Sequence, residues 1–214
     1  MDVESWASSD DAINRSRRYY SHFDYRTDLS KCWKEISNPQ NIVKHSFYPF
    51  IHYKLTIEKF SKYRERKIKE REICYAAHID RRIYQYYNFL LNNSYNDICQ
   101  KLGISNVAVA YRTNLKKQSN IHFAKRAVDF IRKNGDCYIM IGDFTKFFDN
   151  LDHRYLKKQW CTVLDRTNLP DDHYAVFKSI TRFSYVRLMD ILSVLNLEDV
   201  KEGRNALNAK SRIF

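Results

Sequence analysis

The sequence predicts an α+β fold that is rich in helix and poor in strands. Turn residues are scarce: the 214-residue chain holds 4 Gly and 3 Pro, where average usage would give about 15 and about 11. An all-β sandwich or barrel would need more of both. Several segments repeat apolar residues at helical spacing behind recognisable caps, and only two stretches read as strands. Hydrophobic residues at 44% and aromatics at 15% supply a core and exclude a disordered chain.

From the N-terminus, Ser8-Ser9-Asp10 can cap one helix. Asn38-Pro39 offers a cap and a first helical residue for a short one. Residues 46–60 are aromatic and apolar, around Phe47-Tyr48-Pro49-Phe50-Ile51, and their type stays open. Ile68 to Ile73, leading into Cys74-Tyr75, reads as a strand with long charged side chains on an exposed part. Ile79, Ile83, Tyr86, Tyr87, Leu90 and Leu91 then recur at helical spacing, with Asp80 near the helix start. Asn92-Asn93-Ser94 is expected to break this helix. Ser94 with Asp97 resembles a capping box for a next one, ended by Gly103.

Ser119 can cap a helix with Ile121, Ala124, Val128 and Ile131 on one face and Gly135 just past its end. Cys137 to Ile141 reads as a short buried strand between Gly135 and Gly142. Asp152 can cap a helix carrying Leu156, Trp160 and Val163, and Pro170 suits the first turn of another with Tyr174 and Phe177. Residues 185–197 are apolar at helical spacing. Cys137 and Cys161 are expected in the core; Tyr84, Tyr86 and Tyr87 are expected to pack, with stacking on bases beside Arg81 and Arg82 as the alternative.

The charge narrows the function class. A net charge of +12 favours a polyanionic partner, because Lys and Arg gain affinity by releasing counterions from nucleic acid. Residues 54–82 hold ten Lys/Arg and five Asp/Glu, and residues 111–134 hold seven against one. The five cysteines form no CxxC and the seven histidines no HxH or HExxH, so no zinc site or disulfide framework is expected. No stretch has the roughly 18 apolar residues of a membrane span, and an apolar leader is absent at Met1-Asp2-Val3-Glu4. A cytoplasmic, reducing compartment is the expectation.

The sharpest local feature is Asp143, at the exit of the apolar run and ahead of Phe144-Thr145-Lys146-Phe147-Phe148-Asp149-Asn150-Leu151-Asp152-His153. A carboxylate there needs water, a donor or a cation, and Mg²⁺ takes one or two protein carboxylates plus substrate phosphates. Alone, such an Asp reads as the cap of a turn. The whole string Ile141 to His153 resembles the first catalytic motif of a reverse transcriptase palm. Upstream, Lys69-x-Arg71-x-Ile73 with Asp80-Arg81-Arg82-Ile83-Tyr84 is similar to the fingers of bacterial reverse transcriptases. Ala110-Tyr111-Arg112 with Ser119 to Lys125 is similar to the block that follows.

The resemblance spans about residues 46–195. It implies helix-rich fingers and the start of a palm, an incomplete right-hand polymerase fold. It divides the chain into an N-terminal helical extension (1–45), fingers (46–135) and a partial palm (136–214). It implies RNA-templated DNA synthesis from deoxynucleoside triphosphates on a DNA or RNA primer, with Mg²⁺. Asp143 would ligate both ions and Phe144 would add its carbonyl oxygen. Phe148 would lie under the sugar and exclude a 2′-hydroxyl. Lys69, Arg71 and Arg112 would cover the triphosphate. Leu169-Pro170-Asp171-Asp172 and Phe183 to Val186 resemble phage-defence and abortive-infection enzymes, implying an antiviral role.

The family's second acidic motif has no counterpart after Asp143. Asp171-Asp172 reads instead as a helix start, where acids suit the dipole. The expectation is therefore a portion of a polymerase, nearly inactive alone. Two other readings stay open. Asp97 to Val109, with Leu102-Gly103-Ile104-Ser105 as the turn, resembles a DNA-binding helix-turn-helix. A nonenzymatic nucleic-acid-binding subunit would keep the basic surface without the chemistry.

Overall fold

A computed structural model describes residues 2–17, 20–59, 67–115 and 118–198. Its element order is α1 (Val3–Ala7), α2 (Asp10–Ser16), α3 (Leu29–Ile36), α4 (Pro39–Lys44), β1 (Phe50–Lys59), β2 (Lys67–Tyr75), α5 (His78–Lys101), α6 (Asn120–Asn134), α7 (His153–Val163), α8 (Asp171–Thr181), β3 (Tyr185–Arg187) and α9 (Leu188–Val194). About half of the described residues are helical and the strands form one three-stranded sheet, so the fold class is α+β. The chain divides into two compact units, Asn88–Leu169 and the remainder on either side of it. No described helix is long and apolar enough to cross a membrane.

In the unit up to Tyr87 and from Pro170, the caps fall where the sequence puts them. Ser9 Oγ accepts the Ala12 N–H and Asn38 Oδ1 accepts the Gln40 N–H, with Pro39 in the first helical turn. Leu29, Cys32 and Ile36 form the buried stripe of α3. The untyped aromatic segment supplies the central strand. β1 pairs antiparallel with β2, from Ile51 opposite Tyr75 to Lys59 opposite Lys67, and parallel with β3 from Phe50 opposite Tyr185. Ile51, Leu188 and Leu192 form a buried cluster beneath the sheet, flanked by Tyr53, Tyr75 and Val186.

The start of α5 is held by partners far away in sequence. Arg82, buried, donates Nε to the Thr27 carbonyl at 3.0 Å and Nη2 to the Ser16 carbonyl at the end of α2. Asp80, also buried, accepts from His45 Nε2 at 2.7 Å and from the Tyr48 N–H at 2.9 Å. Tyr86 and Tyr87 are core residues as expected. Tyr87 donates its hydroxyl to Asp172 Oδ2 at 2.7 Å, and burial together with that carboxylate pushes its pKa up. Asp171 and Asp172 lie in the first turn of α8, a helix start as the sequence indicates.

Four places in the Asn88–Leu169 unit bear on the expectations. First, α5 is continuous through Asn92-Asn93-Ser94. Tertiary bonds override the weak helix preference of asparagine: Asn92 Nδ2 donates to Asn88 Oδ1 one turn back, and its Oδ1 accepts the Thr113 N–H. Second, the helix does end at Gly103, whose φ of +68° allows the closing pair Ile104 N–H to Cys99 O and Gly103 N–H to Gln100 O. Residues 104–115 then form turns. The second helix that a helix-turn-helix requires does not form there.

Third, α6 has its predicted bounds, with the Ser119 N–H donating to His122 Nδ1. Its apolar face is largely uncovered, with Ile121, Ala124 and Val128 exposed and Ile131 half-buried, and α6 contains no buried residue. Fourth, Cys137 to Ile141 is neither a strand nor buried: Tyr138, Met140 and Ile141 are almost wholly exposed, and Cys137 is exposed too. An apolar run becomes a strand only beside a partner that takes its N–H and C=O groups. All three strands of the described residues belong to the other unit. Cys161, by contrast, is buried on α7 beside Trp160, and Asp152 caps that helix through the Arg154 and Tyr155 N–H groups.

Candidate nucleic-acid interface

The β1–β2 ladder separates charge by face. Side chains alternate along a strand, so Lys69, Arg71 and Ile73 share one face and Glu70 and Glu72 the other. The register sets Lys69 opposite Ile57, Arg71 opposite Leu55 and Ile73 opposite Tyr53. On the acidic face, Lys54 Nζ lies 3.0 Å from Glu70 and 3.8 Å from Glu72, and His52 Nε2 lies 2.7 Å from Glu72. The hydrogen bond to Glu70 and both carboxylates push the Lys54 pKa up. That face neutralises itself.

On the opposite face Lys69 and Arg71 are exposed, set against apolar neighbours, and make no ion pair among the described residues. At a strand rise of about 3.4 Å per residue, two positions apart is about 7 Å. That is close to the spacing of successive phosphates along a single strand. The foot of this face opens into a cavity of about 390 Å³ lined by Tyr20, Tyr53, Ile73 and Tyr75.

The other sequence-selected residues lie in the Asn88–Leu169 unit. Arg112 is buried and spent on its own fold. Nε donates to Asn96 Oδ1 at 2.8 Å, and Nη1 donates to the Ser105 and Ala108 carbonyls at 3.0 and 3.1 Å. Its Nη2 is buried without a hydrogen-bond partner among the described residues. Arg112 therefore closes the 104–112 turn, with little of its guanidinium turned to solvent.

Asp143 is exposed, in irregular chain, and accepts no hydrogen bond among the described residues. Phe144 and Phe148 flank it at 79% and 77% exposure, linked through Phe147, whose ring centroid is 6.0 Å from that of Phe144 and 5.3 Å from that of Phe148. This segment offers a free carboxylate, a nearby backbone carbonyl and bare aromatic rings. Asp152, the nearest acid C-terminal to Asp149, is occupied as the cap of α7.

One cluster was invisible in the sequence. His22, Asp24 and His78 are buried together with their ligand-type atoms within 4.8 Å of one another. Asp24 Oδ1 lies 2.7 Å from His22 Nδ1 and 2.6 Å from His78 Nδ1. Its Oδ2 accepts the His78 and Ile79 N–H groups at 2.6 and 3.3 Å. Burial pushes this carboxyl up, but the bonds from both histidines outweigh it and hold Asp24 far below the usual carboxylate range. Four contacts occupy about four lone-pair positions, which leaves no oxygen for a metal. The cluster is a helix cap delivered from a loop 54 residues away. No spacing rule announces it, because its members meet only in the folded chain.

Compared with known protein families and with curated proteins, the sequence matches none of them.

Proposed function

We propose that this chain is the fingers (46–135) and first part of the palm (136–214) of a reverse transcriptase, preceded by a helical extension (1–45), serving in bacterial antiphage defence. The observation that carries the binding half of this reading is the bare cationic face of β2. Lys69 and Arg71 stand unneutralised on it, while Glu70 and Glu72 are engaged by Lys54 and His52 on the other face. The chemical half rests on the order Lys69, Arg71, Asp143, Phe148 and their flanking residues.

For Mg²⁺, the chain offers the Asp143 carboxylate and the Phe144 carbonyl, two oxygens that suit a hard cation when phosphates and water complete its shell. A bound ion would supply charge neutralisation at the reacting phosphate. Asp143 would hold it and Phe148 would present a flat face to the sugar; Lys69 and Arg71, on their own unit, would bind phosphate. Arg112 acts in this scheme by bracing the turn ahead of α6 rather than by covering phosphate.

The decisive experiment is nucleotide incorporation on an RNA template–primer with Mg²⁺. The purified chain is expected to show almost none, since one carboxylate is a poor anchor for two divalent ions. Incorporation lost on Asp143→Ala would overturn the reading as an incomplete catalytic centre. Binding itself is expected to be steeply salt-dependent and indifferent to sequence, and protection of one specific duplex site without metal would overturn the polymerase reading. The isolation of Asp143 from any described cluster of three ligating side chains favours a second reading, a nonenzymatic subunit that keeps only the binding face.

A further inference from the structure

A second aromatic feature lies wholly within the Asn88–Leu169 unit and is not used by the reading above. Between the C-terminal half of α5 and α7 runs a cavity of about 310 Å³, lined by Leu91, Asn92, Tyr95, Tyr111, Gln159 and Trp160, with an almost wholly apolar wall. That volume lies at the small end of ligand sites. No charged side chain lines it. Asn92 is committed to Asn88 and Thr113, whereas the Gln159 side chain makes no hydrogen bond among the described residues. The groove therefore has an aromatic and aliphatic wall, with Gln159 beside it as a polar side chain not spent on the fold.

Tyr111 is the unusual member. Its φ is +57°, in the left-handed region where a bulky residue is a genuine outlier. The residue is 91% exposed, so packing of the ring does not explain the strained backbone. The neighbours impose it. Arg112 is locked by three hydrogen bonds and the Thr113 N–H is fixed to Asn92 Oδ1. The chain spends strain to hold an aromatic ring in water at the rim of an aromatic groove. Strain that the surroundings over-determine clusters at ligand sites.

The charge of the unit selects the occupant. Residues 88–169 carry thirteen Lys/Arg against seven Asp and no Glu, which suits a polyanion. A planar base with an amide-complementary edge, attached to a phosphate chain, fits both the groove and the charge. We infer that the Tyr111–Trp160 groove takes one unstacked base of a single-stranded nucleic acid, with Tyr111 stacking on it and Gln159 meeting its edge. This binding needs neither metal nor Asp143, so it stands or falls separately from the polymerase reading.

The test compares a short oligothymidylate with an abasic oligonucleotide of the same length and charge, on the full chain without divalent metal. The native chain is expected to bind the base-bearing strand about tenfold more tightly, the scale of one base–aromatic stack. Trp160 emission should be quenched by that strand alone, with Trp160→Phe removing the signal. Tyr111→Gly should abolish the tenfold preference while melting no lower than the native chain, because glycine relieves the positive φ. Tyr111→Phe should keep the preference. Equal affinity for the two strands, as expected if the groove instead takes a peptide or a small apolar ligand, would overturn the inference. So would a preference that survives Tyr111→Gly.

Discussion

Asp24→Ala is expected to destabilise the unit that contains it by about 3–5 kcal/mol, the cost of removing one partner from a buried charged network. The loss is more than one hydrogen bond. The His78 and Ile79 N–H groups lose their cap, and the Nδ1 groups of His22 and His78 lose a shared acceptor in a site closed to water. Asp24→Asn keeps one acceptor for the helix start and should cost about 2 kcal/mol. Urea denaturation followed by far-UV circular dichroism measures both. If the alanine variant is as stable as the native chain, Asp24 does not organise the start of α5.

The same carboxyl predicts the acid response. Its pKa is lower in the folded chain than its ordinary value of 3.8. Its contribution is therefore complete above about pH 4 and is lost as the pH falls through the depressed folded value. The native chain should lose stability on acidification below about pH 4 more steeply than Asp24→Asn, which has no such group to protonate. Parallel curves for the two proteins would show that other carboxylates govern acid unfolding.

The second large effect concerns the hairpin. Replacing Lys69 and Arg71 together by alanine is expected to weaken single-stranded RNA binding about tenfold or more near physiological salt. It should also lower the slope of log affinity against log salt by about 1.4, the release of about 0.7 counterion per phosphate contact at two contacts. Replacing Glu70 and Glu72 should do the opposite, since it frees Lys54 and His52 from their partners. Anisotropy titrations across a salt series read all three proteins. Equal behaviour of the two double variants would reduce the face separation to bulk charge and remove the hairpin as a defined interface.

These expectations rest on features of unequal visibility in the sequence. The caps at Ser9, Asn38 and Asp152 were legible because a cap is a local event, one side chain answering an N–H two or three residues on. The strand expected at Ile68 to Ile73 and observed as Lys67–Tyr75 was legible for the same reason, since strand preference is carried by neighbouring residues. The Asn92 break was misread because the bonds that keep α5 helical there come partly from Thr113, which no local rule connects to it. The strand expected at Cys137 to Ile141 was misread because apolar content states a preference, while a ladder needs a neighbour.

Sequence alone determined the class, a basic, helix-rich α+β chain with cations gathered ahead of Asp143, and it determined which residues could carry chemistry. Composition, capping and periodicity are properties of residues close together along the chain, and they survive without knowledge of the fold. Tertiary structure alone decided what each candidate is able to do. It left Lys69 and Arg71 bare by placing their acidic neighbours on the reverse face. It buried Arg112 among carbonyls and a side-chain amide. It also turned three residues without a motif, His22, Asp24 and His78, into the cap of the longest helix. Whether a charge meets water, a partner or a carbonyl depends on residues tens of positions away, and only folding brings those together.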